Sequence, residues 1–236
     1  MNWLKNNLAN LFTSGNLLCG FIGIVMVLQG PVEWAFWMML LAALLDFLDG
    51  FVARLTKTTS KIGADLDSLA DMVTFGVLPG IMVYTILPCD YNWLAALIPI
   101  ISAWRLAKFN NDQRPSGSFY GLPTPANAIC LGGLFAADQY WSSKLDGLNQ
   151  WIDFSQIHVW VIPYLILSSY LMVSNVKLLS NKISGFSLSK YKWHLIVLVI
   201  GTILILFFGY LGISLAIISY VLISIFATFA SPKIAE

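Results

Sequence analysis

Eight apolar stretches recur along the chain, at residues 14–29, 33–51, 66–87, 91–106, 123–137, 157–176, 193–208 and 211–230. Each approaches the ~20 residues that a helix rising 1.5 Å per residue needs to cross the hydrocarbon of a bilayer. Lipid offers no hydrogen-bond partner to backbone N–H and C=O groups, so segments of this length must satisfy their own as helices. Charged residues make up only 11% of the chain and hydrophobic ones 58%, whereas soluble domains carry ~25% charge. The expected fold is therefore all-α, a polytopic integral membrane bundle. The fifth stretch is short and contains Gly132 and Gly133, and the last two can be read as one hairpin, so six to eight spans fit the pattern.

The distribution of charge tests that count. With eight spans and both termini on one side, Lys5, Arg54, Lys57, Lys61, Arg105, Lys108, Arg114, Lys177, Lys182, Lys190, Lys192 and Lys233 share that side, and of the thirteen Lys and Arg residues only Lys144 is opposite. A bias of this kind marks the cytoplasmic face and places the protein in the inner membrane. Trp34, Trp37, Tyr91, Trp93, Tyr140, Trp151, Tyr191 and Trp193 lie at span ends as an aromatic belt. Ahead of the first span, Trp3, Leu4, Leu8, Leu11 and Phe12 recur at helical spacing beside Lys5, which describes an interfacial amphipathic helix over residues 1–12. No A-x-A site follows the first span, which is read as retained. A net charge of +1 gives no support to a nucleic-acid partner, and Cys19, Cys89 and Cys130 are read as free thiols.

Against this background residues 46–71, DFLDGFVARLTKTTSKIGADLDSLAD, stand out by holding five of the chain's twelve acidic residues. A carboxylate at the hydrocarbon edge must be paired, protonated or bound to a cation. Asp46, Asp49, Gly50 and Ala53 fall at offsets of three, four and seven, on one face at the inner end of the second helix. Gly63, Asp67 and Asp71 recur every four residues on the third. Two facing helices would gather four carboxylates, which cannot all stay ionised unless cations sit among them. Oxygen ligands without His or Cys favour Mg²⁺, Mn²⁺ or Ca²⁺, and Mg²⁺ held by carboxylates commonly shares a phosphate or pyrophosphate ligand. Small residues at Gly50, Ala53 and Gly63 either let a ligand approach the helix backbone or let helices pack closely.

The complete spacing, D-x2-D-G-x2-A-R-x8-G-x3-D-x3-D, runs through Asp46, Asp49, Gly50, Ala53, Arg54, Gly63, Asp67 and Asp71. It resembles the signature of the CDP-alcohol phosphotransferases, membrane enzymes that move a phosphatidyl or related group from a CDP-linked donor to an alcohol. LFTSGNLLCG (11–20), LDSLADMVTFGVLP (66–79), WRLAKFN (104–110) and FYGLPTPANA (119–128) are similar to one branch, the bacterial CDP-diacylglycerol:serine phosphatidyltransferases. The resemblance implies a six-helix catalytic core, here residues 13–178, with residues 179–236 adding a basic loop and two spans. It also implies a homodimer, and a two-metal centre of Mg²⁺ or Mn²⁺ on Asp46, Asp49, Asp67 and Asp71, with Ca²⁺ as another occupant. CDP-diacylglycerol would lie over Gly50, Ala53, Arg54 and Gly63, and Asp71 would be the general base that takes the proton of L-serine.

A serine carboxylate needs a cation within reach. Arg105 and Lys108, one turn apart at the inner end of the fourth span, are the candidates, and ordinary positive-inside anchors are the alternative reading for both. Thr13 and Asn16, polar at the start of the first span, either line the cavity or bond helix to helix. Asp65 lies off the acidic face, and His158 and His194 are assigned no role. Glycerol 3-phosphate or an inositol phosphate as acceptor would call for a denser basic pocket. An intramembrane prenyltransferase would need a second aspartate-rich motif, and a cation-coupled transporter would show repeat symmetry; neither is visible.

Overall fold

The computed structural model describes residues 2–30, 32–56, 61–111, 119–144, 158–179 and 188–230. Lys57, Arg114, Trp151, Lys182 and Lys233, used above to sort charged and aromatic residues, lie outside them. Helix α1 (Asn2–Gln29) turns at Gly30 into α2 (Val32–Thr56). Then α3 (Lys61–Asp71) passes through a π-helical turn, Met72–Val77, into α4 (Leu78–Ile86). A 3-10 turn at Asn92–Ala96 leads to α5 (Leu97–Asn110), followed by α6 (Thr124–Lys144), α7 (His158–Val173) and α8 (Leu188–Ala230). The all-α expectation holds, with one two-residue antiparallel ladder, Phe119–Tyr120 against Lys177–Leu178, among the described residues.

Each apolar stretch is occupied by helix, yet four candidate spans emerge by length and composition among the described residues: Asn7–Gln29, Glu33–Thr56, Ile62–Ile86 and Tyr210–Thr228. Val159–Val173 and Lys192–Phe208 are shorter apolar helices, and the 3-10 turn takes up the start of the fourth stretch, so α5 has only 14 residues. Residues 2–12 form no separate interfacial helix, because α1 runs unbroken from Asn2. The two last stretches do form a hairpin. Gly209 has φ +57° and ψ −124°, a conformation open to glycine but strained for other residues, and it reverses α8. Across the reversal Trp193 packs edge-on against Phe226 at 5.8 Å, and a Cβ on Gly201 would touch that of Ala216 at 3.4 Å.

Because lipid is as apolar as leucine, helices in it associate through close packing and hydrogen bonds rather than through the hydrophobic effect. Met39, Phe75, Met82 and Phe135 interlock where α2, the π turn, α4 and α6 meet. Ile98, Leu131, Val161 and Leu165 do the same for α5, α6 and α7. A Cβ on Gly132 would reach 2.7 Å from Phe36, so α6 lies directly on α2. At the inner end Gly121 has φ +73° and room for no side chain, since a Cβ would sit 2.6 Å from the Met172 carbonyl oxygen. The segment before α6 is thereby pressed onto the end of α7, beside the acidic ends of α2 and α3.

Candidate active site

The facing arrangement expected of α2 and α3 is present. One carboxylate oxygen from each of Asp46, Asp49 and Asp67 lies within 4.8 Å of the others. Asp71 joins them through contact with Asp46, which is also in hydrogen-bonding contact with Asp67. Asp49 and Asp71 are buried, while Asp46 and Asp67 are half-buried and open the cluster to one side. Carboxylates in mutual contact need a proton or a cation between them. The Asp67 Oδ1 atom is buried with no hydrogen-bond partner, an arrangement that costs free energy unless something else coordinates it. An all-oxygen set of this kind fits a hard divalent cation. Asp65, off the acidic face, is exposed.

The small residues divide. A Cβ on Gly50 would meet only the Arg54 guanidinium, at 3.7 and 4.0 Å, so no neighbouring helix requires glycine there. The close-packing reading therefore fails for Gly50, and the surface between Asp49 and Arg54 is open to a ligand. Arg54 is exposed and Ala53 and Gly63 are half-buried, next to the acids along α2 and α3.

Helix α1 supplies the partners that hold two of the acids. Thr13 Oγ1 donates to Asp49 Oδ2 at 2.6 Å, and Asn16 Nδ2 donates to Asp71 Oδ1 at 3.2 Å. Three residues apart, the two side chains share the face of α1 that meets α2 and α3. Hydrogen bonds to charged groups contribute ~1.5–3 kcal/mol each, more than neutral ones, so these contacts also fix carboxylate rotamers. The π turn begins directly after Asp71. Pro79 has no N–H to offer the carbonyl four residues back, and the Leu78 N–H reaches Val73 O, five residues away.

The two basic candidates separate. Lys108 is exposed and its Nζ is taken by the Val173 carbonyl oxygen at 2.8 Å and Asn175 Oδ1 at 3.3 Å, a strut from α5 to the end of α7. Arg105 is only 8% exposed. Its Nη1 donates to Thr124 Oγ1 at 3.3 Å, its guanidinium lies 5.4 Å from the centre of the Phe109 ring, and Asp71 is within electrostatic range. Among the described residues it has no carboxylate partner at ion-pair distance. One turn earlier on α5, Ser102 is fully buried with an unpartnered Oγ. Ser102, Thr124 and Thr74 were not singled out in the sequence; Ser102 and Thr74 are hydroxyls three residues from Arg105 and Asp71, a helical spacing, whereas Thr124 begins another helix and no local spacing points to it.

A model of the CDP-alcohol phosphatidyltransferase family matches residues 6–154, which include all four aspartates and Arg105. The chain belongs to this family. It is thus a transferase of the membrane, and the prenyltransferase and transporter readings fall away. Within the family, a Helicobacter pylori protein named CDP-diacylglycerol–serine O-phosphatidyltransferase is 33% identical over 192 residues, 79% of this chain and 74% of the relative. A Bacillus subtilis protein of the same name is 35% identical over 130 residues, 53% and 73% of the two chains. An archaetidylserine synthase of Methanothermobacter thermautotrophicus is 33% identical over 139 residues, 56% and 59%. The family match ends before α7, so α8 lies outside it.

Proposed function

We propose that this protein transfers the phosphatidyl group of CDP-diacylglycerol to L-serine, giving phosphatidylserine and CMP. The observation that carries the reading is a cluster of four carboxylates beside the open face at Gly50, with the buried Arg105 guanidinium of α5 in electrostatic range of Asp71. The relatives named above support serine as the acceptor.

In this mechanism Asp46, Asp49, Asp67 and Asp71 would hold the divalent cations. Bound there, Mg²⁺ or Mn²⁺ supplies positive charge to the pyrophosphate and to departing CMP. The face of Gly50, Ala53 and Gly63 receives the cytidine nucleotide, and Arg54 contacts its phosphates. Arg105 takes the serine carboxylate, turning the hydroxyl toward Asp71. Asp71 accepts the hydroxyl proton as the serine oxygen bonds to the phosphorus nearest the diacylglycerol and the bond from that phosphorus to CMP breaks. A single displacement needs no enzyme nucleophile. Lys108, already held by α7, serves the fold. Residues 13–178 form the catalytic core of six spans and α8 is an addition to it; the Lys and Arg bias supports an inner-membrane enzyme with active site and termini on the cytoplasmic side, and the family resemblance a homodimer.

Purified protein supplied with Mg²⁺ or Mn²⁺ is expected to release CMP from CDP-diacylglycerol only when L-serine is added. Equal release with glycerol 3-phosphate or an inositol phosphate would move the assignment to that acceptor, and no release with any alcohol would sink it.

A further inference from the structure

We infer that Asn16 is the positioning residue of Asp71, the acid that the proposed mechanism uses as its base. Asn16 is fully buried and joined to the third span twice. Its side chain donates to Asp71 Oδ1 at 3.2 Å, and its backbone oxygen accepts from Thr74 Oγ1 at 3.1 Å. Around a regular α-helix, residues 71 and 74 stand about 60° apart, since each residue turns ~100°. Both meet Asn16, although the turn that follows Asp71 is π-helical from Met72. Gly20, one turn along α1 from Asn16, has no space for a Cβ against Thr74, so the backbones are in direct contact there. A helix pair needing only adhesion would be served by the Thr74 bond and the Gly20 contact. The amide on Asp71 adds a further bond to that adhesion, and beyond adhesion it fixes the orientation of the carboxylate beside Asp46.

Fixing that carboxylate matters because a proton acceptor works only within hydrogen-bond reach of the hydroxyl it serves. Asn16 touches neither donor nor acceptor in this account and acts through Asp71, so the inference rests on the role proposed for Asp71. Replacing partners of this kind lowers activity ~10- to 100-fold in metal sites.

The test compares Asn16→Leu and Asn16→Ala with Thr74→Val and Asp71→Asn in purified full-length protein, measuring kcat, donor affinity from Mn²⁺-dependent binding of CDP-diacylglycerol, and thermal stability. Both Asn16 variants are expected to lose ~10-fold or more in kcat at saturating Mn²⁺, while donor Kd at the same saturating Mn²⁺ stays within about twofold. Thr74→Val is expected to unfold at lower temperature with kcat little changed. Should Asn16→Leu fail to fold, Asn16→Ala, which removes the amide donor without setting another carboxylate against Asp71, decides by the same criterion. Donor affinity falling in step with kcat, or Thr74→Val matching the Asn16 variants in kcat, would make Asn16 a packing residue and overturn the inference. Asp71→Asn separates the two readings: inactive Asp71→Asn with fully active Asn16 variants removes only Asn16, whereas active Asp71→Asn removes the base assignment itself.

Discussion

The corner of α1, α2 and α3 and the hairpin of α8 are both held by small residues and buried hydroxyls, yet they use them differently. In the corner two hydrogen bonds join side chain to side chain and end on carboxylates, Thr13 on Asp49 and Asn16 on Asp71, beside the Thr74 bond to the Asn16 backbone. In the hairpin Ser214 Oγ donates to the Cys130 backbone oxygen at 2.7 Å, and a Cβ on Gly133 would press on that same hydroxyl at 2.5 Å. Bonds to backbone fasten one helix to another whatever the neighbouring side chains are. Bonds to carboxylates set the direction of a charge, and they constrain function as well as stability. Substitutions at the acids and at the side chains bonded to them should therefore move kinetic constants, and those in the hairpin should move only the unfolding temperature.

The sharpest break comes at the acids. Asp49→Asn keeps the size of the side chain and its bond with Thr13 in some form, but removes a charge from the proposed cation site. The expected outcome is a fall in kcat of ~1000-fold or more, roughly 4 kcal/mol of transition-state stabilisation. Radioactive CMP release from labelled donor has the range to measure it, and a loss below about tenfold would place the metals elsewhere.

Arg105 and Lys108 bring the same comparison within a single helix. Arg105→Gln should raise the serine KM by ~10- to 100-fold and leave the donor KM alone, since removing the partner of a buried charge costs ~2–5 kcal/mol less whatever the bond to Gln returns. Lys108→Gln should change neither by more than a few-fold, because its Nζ is occupied by α7. An equal effect of the two substitutions would return both to the role of charged anchors.

A smaller change is expected one step out from the acids. Thr13→Val preserves shape and deletes the hydroxyl on Asp49, so about tenfold more Mn²⁺ should be needed for half-maximal activity. Thr13→Ser, which keeps the donor, should restore the wild-type requirement. Failure of serine to restore it would assign Thr13 to packing between α1 and α2.

The corner was largely legible because Asp46, Asp49, Asp67 and Asp71 sit at offsets of three and four, which a helix turns directly into a shared face. The partners of those acids were only half legible. Thr13 and Asn16 are visibly polar in an apolar stretch, but which helix they meet depends on the rotation of α1, and no local spacing encodes that. The π turn was hidden, since MVTFGVLP reads as ordinary apolar helix and its cue is one proline whose missing N–H acts several residues upstream. Arg105 and Lys108 look equivalent along the chain, and only the burial of one and the α7 contacts of the other separate them. The short helix in the fourth stretch was hidden for a related reason: hydropathy finds apolar residues whether or not a 3-10 turn shortens the helix that carries them.

The mildest prediction tests the other side of the comparison. Gly209 turns α8 back on itself with φ +57° and ψ −124°, and a Cβ there would meet nothing within 4 Å. Gly209→Ala thus adds no clash, and its whole effect is the backbone strain of holding a residue with a side chain in that region, ~1–3 kcal/mol. The cost can be relieved by loosening the hairpin, whose arms meet each other, α6, Phe36 and Trp37 of α2, and Leu122 and Met172 rather than the acids. Thermal unfolding in detergent should shift downward by a few degrees while kcat and both KM values remain at wild-type levels. If serine KM or kcat changed with Gly209→Ala, α8 would be coupled to the site despite lying outside the family match, and the division between a corner that aims charge and a hairpin that only packs would fail.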